Sequence, residues 1–197
     1  AELARKKTVC DWGLYFGTDG QNTDQFEKAA ALVVGLKLFL SLTNTKYVVD
    51  DRELVAKIYE SWPKNKVIVI HAEENRVDLA ISMAEKYGNK IHITHVNTKD
   101  ALEKIIQAKK DKLTVTCDVT PHHLFLTNES NNFVNPPLST KEDQDFLWQN
   151  LSWIDCIASD HAPHLITEKR SANPPPGVPG LETMLPLLIS AVHDGRL

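Results

Sequence analysis

The chain has 197 residues, of which 42% are hydrophobic and 24% are charged, and its formal net charge is −4. That length suffices for one well-buried core, although a complete (β/α)8 barrel usually needs about 250 residues. The small negative charge excludes the basic surface of a nucleic-acid-binding protein, and no apolar run approaches the roughly 20 residues of a membrane span. The N-terminus has no signal-peptide core, so we expect a cytoplasmic protein that contacts neither nucleic acid nor membrane.

Strand-like and helix-like segments alternate along the chain. We predict strands over 9–16, 33–39, 67–71, 91–96, 113–119 and 154–160. A segment with helical periodicity follows each strand. These segments span 24–32, Asp50 or Asp51 to Pro63, about Val77 to Gly88, Thr98 to about Ile106, 141–151 and 181–193. Such alternation predicts an α/β fold with a parallel sheet, and six βα units form an incomplete (β/α)8 barrel of TIM type.

Three cysteines, Cys10, Cys117 and Cys156, are widely spaced, and each lies in an apolar stretch. An odd number without a Cys-x-x-Cys pair favours reduced, buried thiols in a cytosolic protein. Ligation of a metal by cysteine is the alternative interpretation.

Four apolar runs stop at residues suited to a metal site, namely Lys37, His71, His95 and Asp160. A (β/α) barrel places its functional residues at the carboxyl ends of its strands, where these four would meet. One histidine alone would more often be a hydrogen-bonded structural residue, but the shared position favours a metal centre. The Lys37 ammonium cannot bind a metal, whereas a carbamylated Lys37 could bridge two cations.

Asp160 lies in the segment Ala-Ser-Asp-His-Ala-Pro-His and could both bind metal and transfer a proton, although a helix cap or loop anchor is the alternative. Several other histidines and one aspartate are expected to lie near the site without taking part in the reaction. We expect His122, His123 and Asp118 to surround the site rather than to act in it, and His161 is a candidate to orient Asp160. No catalytic role is expected for His92 or His193.

Six stretches resemble dihydroorotase, and the likeness covers nearly the whole chain: 35–38, 70–73, 93–96, 121–126, 158–164 and 174–188. The resemblance is strongest to the dihydroorotase domain of the animal-type multifunctional protein that also carries carbamoyl-phosphate synthetase and aspartate transcarbamoylase. It implies an amidohydrolase-type barrel that interconverts N-carbamoyl-L-aspartate and L-dihydroorotate in pyrimidine biosynthesis. It also implies those two enzymes as covalent neighbours, a homo-oligomer and a cytoplasmic location.

The resemblance also implies roles for individual residues. Two zinc ions would be bridged by carbamylated Lys37, with the second zinc held by His71 and His95. Asp160 would bind the first zinc and shuttle the proton from the attacking water to the leaving ring nitrogen. The residues implied in substrate binding are Asn135, His164, Pro179 and Gly180.

Some positions depart from the pattern of the family. The chain contains no His-x-His pair, which the family uses for the first zinc. Residues 1–197 therefore resemble a partial domain that lacks the first strands and the C-terminal end, and we expect this segment alone to be inactive. Asn135 replaces an arginine of animal domains and Thr94 a cysteine, while Asn44 replaces an aromatic residue in a loop, 41–46, that resembles a mobile substrate loop.

Two alternatives stay open. The first is a related ring-opening amidohydrolase that acts on dihydropyrimidines, hydantoins or allantoin, against which the segment 158–164 argues. The second is a non-catalytic dihydroorotase-like scaffold domain. Such domains tend to lose metal ligands, whereas Lys37, His71, His95 and Asp160 are all present here.

Overall fold

A computed structural model describes residues 2–41 and 47–197. Six strands form a sheet in the order β1 to β6, and every neighbouring pair is parallel. The strands are β1 Tyr15–Gly17, β2 Gly35–Phe39, β3 Val67–His71, β4 Ile91–Ile93, β5 Val115–Val119 and β6 Cys156–Ile157. Sequential order with parallel pairing is the arrangement of a (β/α) barrel wall, and the predicted α/β fold with six βα units is confirmed.

Helices follow or connect the strands. They are α1 Glu2–Lys7, α2 Phe26–Ala30, α3 Arg52–Ser61, α4 Asn75–Tyr87, α5 Lys99–Lys110, α6 Pro121–Phe125, α7 Lys141–Gln149, α8 Ile166–Lys169 and α9 Leu181–His193. Short 3-10 turns lie at Thr23–Gln25 and Leu151–Trp153. Within the described ranges, no helix has both the length and the apolar character needed to cross a membrane.

The hydrophobic core lies between the sheet and the helices α3, α4 and α5. Each helix buries residues spaced three or four apart, such as Val55, Ile58 and Tyr59 on α3, which is the spacing that places side chains on one face. The strands are rich in β-branched residues and leucine, and Ile68, Ile70 and Ile93 are fully buried. The sheet is thereby held rigidly, so the loops after its strands have fixed starting points.

Five of the six strands are shorter than the apolar runs suggested: β2 and β5 each begin two residues late, at Gly35 and Val115, and the other three differ more. The strand predicted over 9–16 is wrong for residues 9–14, because pairing with β2 begins only at Tyr15. The fourth strand ends at Ile93 rather than at residue 96, and the sixth covers only Cys156–Ile157. Residues 94–96 and 158–160 are consequently loop, which frees His95 and Asp160 from the regular pleat of the sheet.

Two further predictions concern cysteines and a loop. The prediction of three buried thiols is wrong for Cys10 and Cys156, which are exposed, and right for Cys117. Position in an apolar stretch did not imply burial, because Cys10 precedes the sheet. The loop 41–46, which resembles a mobile substrate loop, lies outside the described residues except for Ser41. Asn44, the position that departs from the family, is therefore outside them as well.

Candidate active site

The carboxyl ends of the strands surround one cavity of about 320 Å³. Its lining includes all four predicted metal ligands and one predicted substrate residue, together with Asp118: Lys37, His71, His95, Asp118, Asn135 and Asp160. The shared position at strand ends, read from the sequence, therefore places these side chains around a common space. His164, Pro179 and Gly180 lie outside this lining, and the last two border a neighbouring cavity instead.

Two imidazole rings face each other inside this cavity. His71 is the last residue of β3, and its Nδ1 lies 2.8 Å from Nε2 of His95. On its other side, His71 Nε2 lies 3.1 Å from a carboxylate oxygen of Glu73. Such a carboxylate behind a histidine ring fixes the orientation of the ring, as it commonly does for metal-binding histidines.

The surroundings of His95 suit a metal ligand. Burial lowers the pKa of His95 well below its ordinary value, and the nearby rings and Lys37 lower it further. Its Nδ1 is buried and has no hydrogen-bond partner among the described residues. Neutral imidazole nitrogens are preferred ligands of a zinc-like cation, so the two histidines fit part of a metal site.

Lys37 is held in a poorly solvated position. It lies in the middle of β2, and its Nζ donates a hydrogen bond of 3.3 Å to Oγ1 of Thr94 and lies 5.1 Å from the centre of the Phe39 ring. Burial lowers the pKa of Lys37 to about 8, against the opposing effect of Asp118 and Asp160. A part of this amine is therefore uncharged near neutral pH, which is rare for a lysine.

Asp160 and His95 share an unusual backbone conformation. Both have a φ of 43°, in the left-handed region that residues with a side chain seldom occupy. Backbone strain of this kind concentrates at functional sites, where surrounding contacts hold it. Burial also raises the pKa of Asp160, with Lys37 opposing the shift. The sequence carried no signal for either backbone conformation.

Asp118 has a larger part in the site than the sequence indicated. Its Oδ1 accepts a hydrogen bond of 2.6 Å from the backbone N–H of His95, and its Oδ2 lies 2.8 Å from Nε2 of His92. Asp118 therefore ties the strained His95 to β5. His92, for which no catalytic role was expected, is the partner of this carboxylate.

A second group of ligand-type side chains lies beside the cavity. The ligand atoms of His92, Asp118 and Cys156 all lie within 4.8 Å of one another, close enough to hold a metal ion. His71, His95 and Asp160 do not form a group of that compactness. In the described part of the chain, the predicted ligands thus lie around the cavity wall, whereas His92, Asp118 and Cys156 form a tight cluster.

The adjacent histidines of α6 occupy different environments. The ring of His123 lies 2.8 Å from Oγ1 of Thr120 and 3.1 Å from the carbonyl of Pro136, so it anchors the loop before α7. His122 lines the cavity, and its buried Nε2 has no partner among the described residues. Burial lowers the pKa of His122 to about 4 and that of His123 to about 3, so both rings are neutral at pH 7.

The residues predicted to bind substrate lie on two connected loops. Asn135 faces the cavity, while His164 Nε2 lies 3.0 Å from the carbonyl of Pro176. His161 Nδ1 accepts hydrogen bonds from the backbone N–H groups of Gly180 and Leu181, at 3.1 and 3.2 Å. His161 therefore holds the loop before α9, and its ring nitrogen is engaged there rather than with Asp160.

Comparison with known proteins shows which proteins this chain is similar to. No family model matches the chain. The whole chain is 44% identical, over 203 residues, to the multifunctional protein CAD of Squalus acanthias. It is also 33% identical to a dihydroorotase of Methanosphaera stadtmanae over 99% of its length.

The chain is a dihydroorotase-related segment. It spans 9% of the CAD protein and 53% of the Methanosphaera dihydroorotase. A solved inactive dihydroorotase-like domain of a CAD-like multifunctional protein from Chaetomium thermophilum matches it over 100% of the chain, with a TM-score of 0.81 and 29% identity. That match covers 57% of the solved chain, which agrees with a partial barrel.

The fold is shared more widely than the sequence. An L-hydantoinase from Arthrobacter aurescens matches 99% of the segment with a TM-score of 0.87 but only 24% identity. That likeness shows a shared barrel fold and nothing further. The higher identity to dihydroorotases makes the hydantoinase alternative the poorer fit.

Proposed function

We propose that this dihydroorotase-related segment belongs to an enzyme that interconverts N-carbamoyl-L-aspartate and L-dihydroorotate in pyrimidine biosynthesis. The observation that carries the proposal is the meeting of Lys37, His71, His95 and Asp160 at one cavity. In a chain 33% identical to a dihydroorotase, this set supports catalysis over a scaffold role, because a scaffold has no need to keep four such residues together.

His71 and His95 would hold one zinc ion and Asp160 a second, with carbamylated Lys37 between them. Zinc at this position supplies Lewis-acid polarisation of the substrate carbonyl. The lowered pKa of Lys37, about 8, supports carbamylation, since only the uncharged amine adds to carbon dioxide and it releases one proton as it does so. Glu73 and Asp118 would keep the two histidines in position.

Asp160 would move the proton during ring opening. Its carboxylate accepts the proton of the attacking water and delivers it to the ring nitrogen as the amide bond breaks, and the same steps reverse in ring closure. Burial supports this role because it raises the pKa of Asp160 toward that of a working acid–base group. Asn135, His164, Pro179 and Gly180 would contact the substrate.

The proposal extends to the surrounding polypeptide. The identity to multifunctional relatives supports carbamoyl-phosphate synthetase and aspartate transcarbamoylase as covalent neighbours. A cytoplasmic location and a homo-oligomer are proposed on the resemblance to dihydroorotase alone. Residues 1–197 would be part of one barrel domain, and the His-x-His pair absent from this sequence would come from elsewhere in that domain. We therefore expect no turnover by the 197-residue chain alone.

The test uses the full-length polypeptide that contains this chain. We expect ring opening of dihydroorotate and cyclisation of carbamoyl-aspartate, with little turnover of hydantoin or dihydrouracil. Asp160→Asn should lower kcat by about 10²- to 10⁴-fold, because it removes the proton-transfer group. Asp145→Asn, on α7 outside the cavity and with its side chain 48% accessible, is the matched control and should leave kcat unchanged.

Three outcomes would contradict the proposal. A preference for hydantoins would assign the chain to the alternative amidohydrolases, and a folded but inactive polypeptide would assign it to the scaffolds. Turnover by the isolated 197-residue chain would show that the missing His-x-His pair is not needed.

A further inference from the structure

The cluster of His92, Asp118 and Cys156 has the composition of a metal site, and only Asp118, which holds the backbone of His95, also supports the proposed catalytic centre. These residues lie on β4, β5 and β6, three neighbouring parallel strands. Their ligand atoms, one nitrogen, one oxygen and one sulfur, lie within 4.8 Å of one another.

Strand register explains why the three side chains meet. Asp118 and Cys156 are directly paired across β5 and β6, so their side chains leave the sheet on the same side. His92 is paired with Thr116, which lies two residues before Asp118 and so shares its face. The cluster therefore depends on regular strands rather than on loops.

Hydrogen bonding orients His92 toward the cluster. Its Nδ1 lies 2.9 Å from Oγ1 of Thr116, which itself donates to the carbonyl of Ile91 at 3.3 Å. Its Nε2 lies 2.8 Å from Asp118 Oδ2. Imidazole nitrogen and carboxylate oxygen are both metal-ligand atoms, and these two are close enough to bind one cation side by side.

We propose that His92 Nε2, Asp118 Oδ2 and Cys156 Sγ bind a divalent cation of the zinc or cobalt type. A nitrogen, oxygen and thiolate set selects such borderline cations over magnesium or calcium. Thr116 acts behind the ligand by holding the other nitrogen of His92, the usual arrangement around a metal-bound imidazole. Three protein ligands leave one position open for water or a further ligand.

This site is separate from the proposed catalytic centre but adjoins it. Asp118 uses its other oxygen to hold the backbone of His95, so one carboxylate would serve both sites. The inference does not rest on the proposed function, because none of the three ligands belongs to the set formed by Lys37, His71, His95 and Asp160.

Alkylation of the cysteines tests the proposal in the unaltered chain. Cys156 and Cys10 are both exposed, whereas Cys117 is buried, so Cys10 is an internal control. Because a metal-bound thiolate is shielded from electrophiles, saturating zinc should slow iodoacetamide modification of Cys156 at least about tenfold and leave Cys10 unchanged. Peptide mass spectrometry measures both. Equal modification of Cys156 with and without zinc would overturn the proposal.

Cobalt spectroscopy distinguishes this site from the catalytic centre. Added cobalt should give the absorption band of a thiolate-to-cobalt charge transfer, which Cys156→Ser abolishes and Cys10→Ser retains. His71→Ala, which disrupts the proposed catalytic centre, should keep the band, whereas Thr116→Val should weaken cobalt affinity about tenfold or more. Circular dichroism checks the folding of each variant. A band that persists in folded Cys156→Ser would show that another thiol binds the cobalt, and no band in the unaltered chain would show that the cluster binds none; either result would overturn the proposal.

Discussion

Two neighbouring histidines show how strongly environment decides the behaviour of one residue type. His123 has a partner at each ring nitrogen, whereas the buried Nε2 of His122 has none in the described structure. The folded pKa of each lies below the ordinary value of 6.5, so an unfolded chain takes up their protons first as the pH falls. Their stabilising effect is complete above pH 6.5 and is lost toward the folded pKa.

We predict that His122→Phe leaves the free energy of unfolding at pH 7 within about 1 kcal/mol of the unaltered value, because Phe keeps the ring and removes an unpaired nitrogen. It should also flatten the loss of stability between pH 6.5 and about 4, to which His122 contributes about 1.4 kcal/mol per pH unit. Urea unfolding at several pH values measures both effects.

His123→Phe is the control for that variant. It breaks two hydrogen bonds and leaves the buried carbonyl of Pro136 unpaired, so we expect a loss of about 1–3 kcal/mol at pH 7. If His122→Phe proved the more destabilising of the two at pH 7, the assignment of His123 as the structural ring would be wrong.

Local pattern and long-range contact decide which site residues could be predicted from the sequence. Lys37 and His71 stand in apolar runs that become strands, and the phase of the strands brings them to the cavity. The role of Asp118 could not be read, because its partner His95 lies 23 positions away. The strained backbone of His95 is held by this long-range contact, and neither it nor the strained backbone of Asp160 is marked by a local sequence pattern.

At the scale of elements, helix starts follow from local chemistry. The sequence offered Asp50 or Asp51 as the cap of α3, and the structure assigns Asp51, whose side chain accepts from the backbone N–H groups of Glu53 and Leu54 at 2.8 and 2.9 Å. Strand ends are different, because pairing with a neighbour decides them. For this reason β1 and β6 are shorter than the apolar runs that contain them.

We predict that Asp51→Ala lowers the free energy of unfolding by about 1 kcal/mol, since two N–H groups of α3 lose their acceptor. Asp50→Ala removes the same charge one residue earlier and should change stability by less than about 0.5 kcal/mol. Chemical denaturation of the two variants in parallel makes the comparison. Equal losses would mean that the effect comes from charge near the helix start rather than from the cap.

At the scale of the molecule, apolar surface is distributed unevenly. The centre of the sheet is covered on its helical side, and the helices α3, α4 and α5 bury their apolar faces against it. Among the helices longer than six residues, α9 is the exception, because Ala191 is its only buried residue. An exposed apolar stripe runs along it, with Leu181 59%, Leu185 62%, Ile189 49% and Val192 58% accessible.

Contiguous apolar stripes of this kind bind hydrophobic dyes and promote association in water. We therefore predict that the 197-residue chain binds anilinonaphthalene sulfonate and scatters light as its concentration rises, and that Leu185→Glu reduces both signals. Ser82→Glu adds the same charge to an exposed position on α4 and is the matched control, which should leave dye binding unchanged. If both variants reduced the signals equally, added charge would be the cause and not the stripe.

Since α9 contributes almost no buried surface, Leu185→Glu should alter the free energy of unfolding by less than about 0.5 kcal/mol. That combination, lower dye binding with unchanged stability, distinguishes an exposed face of the native fold from a partly unfolded chain.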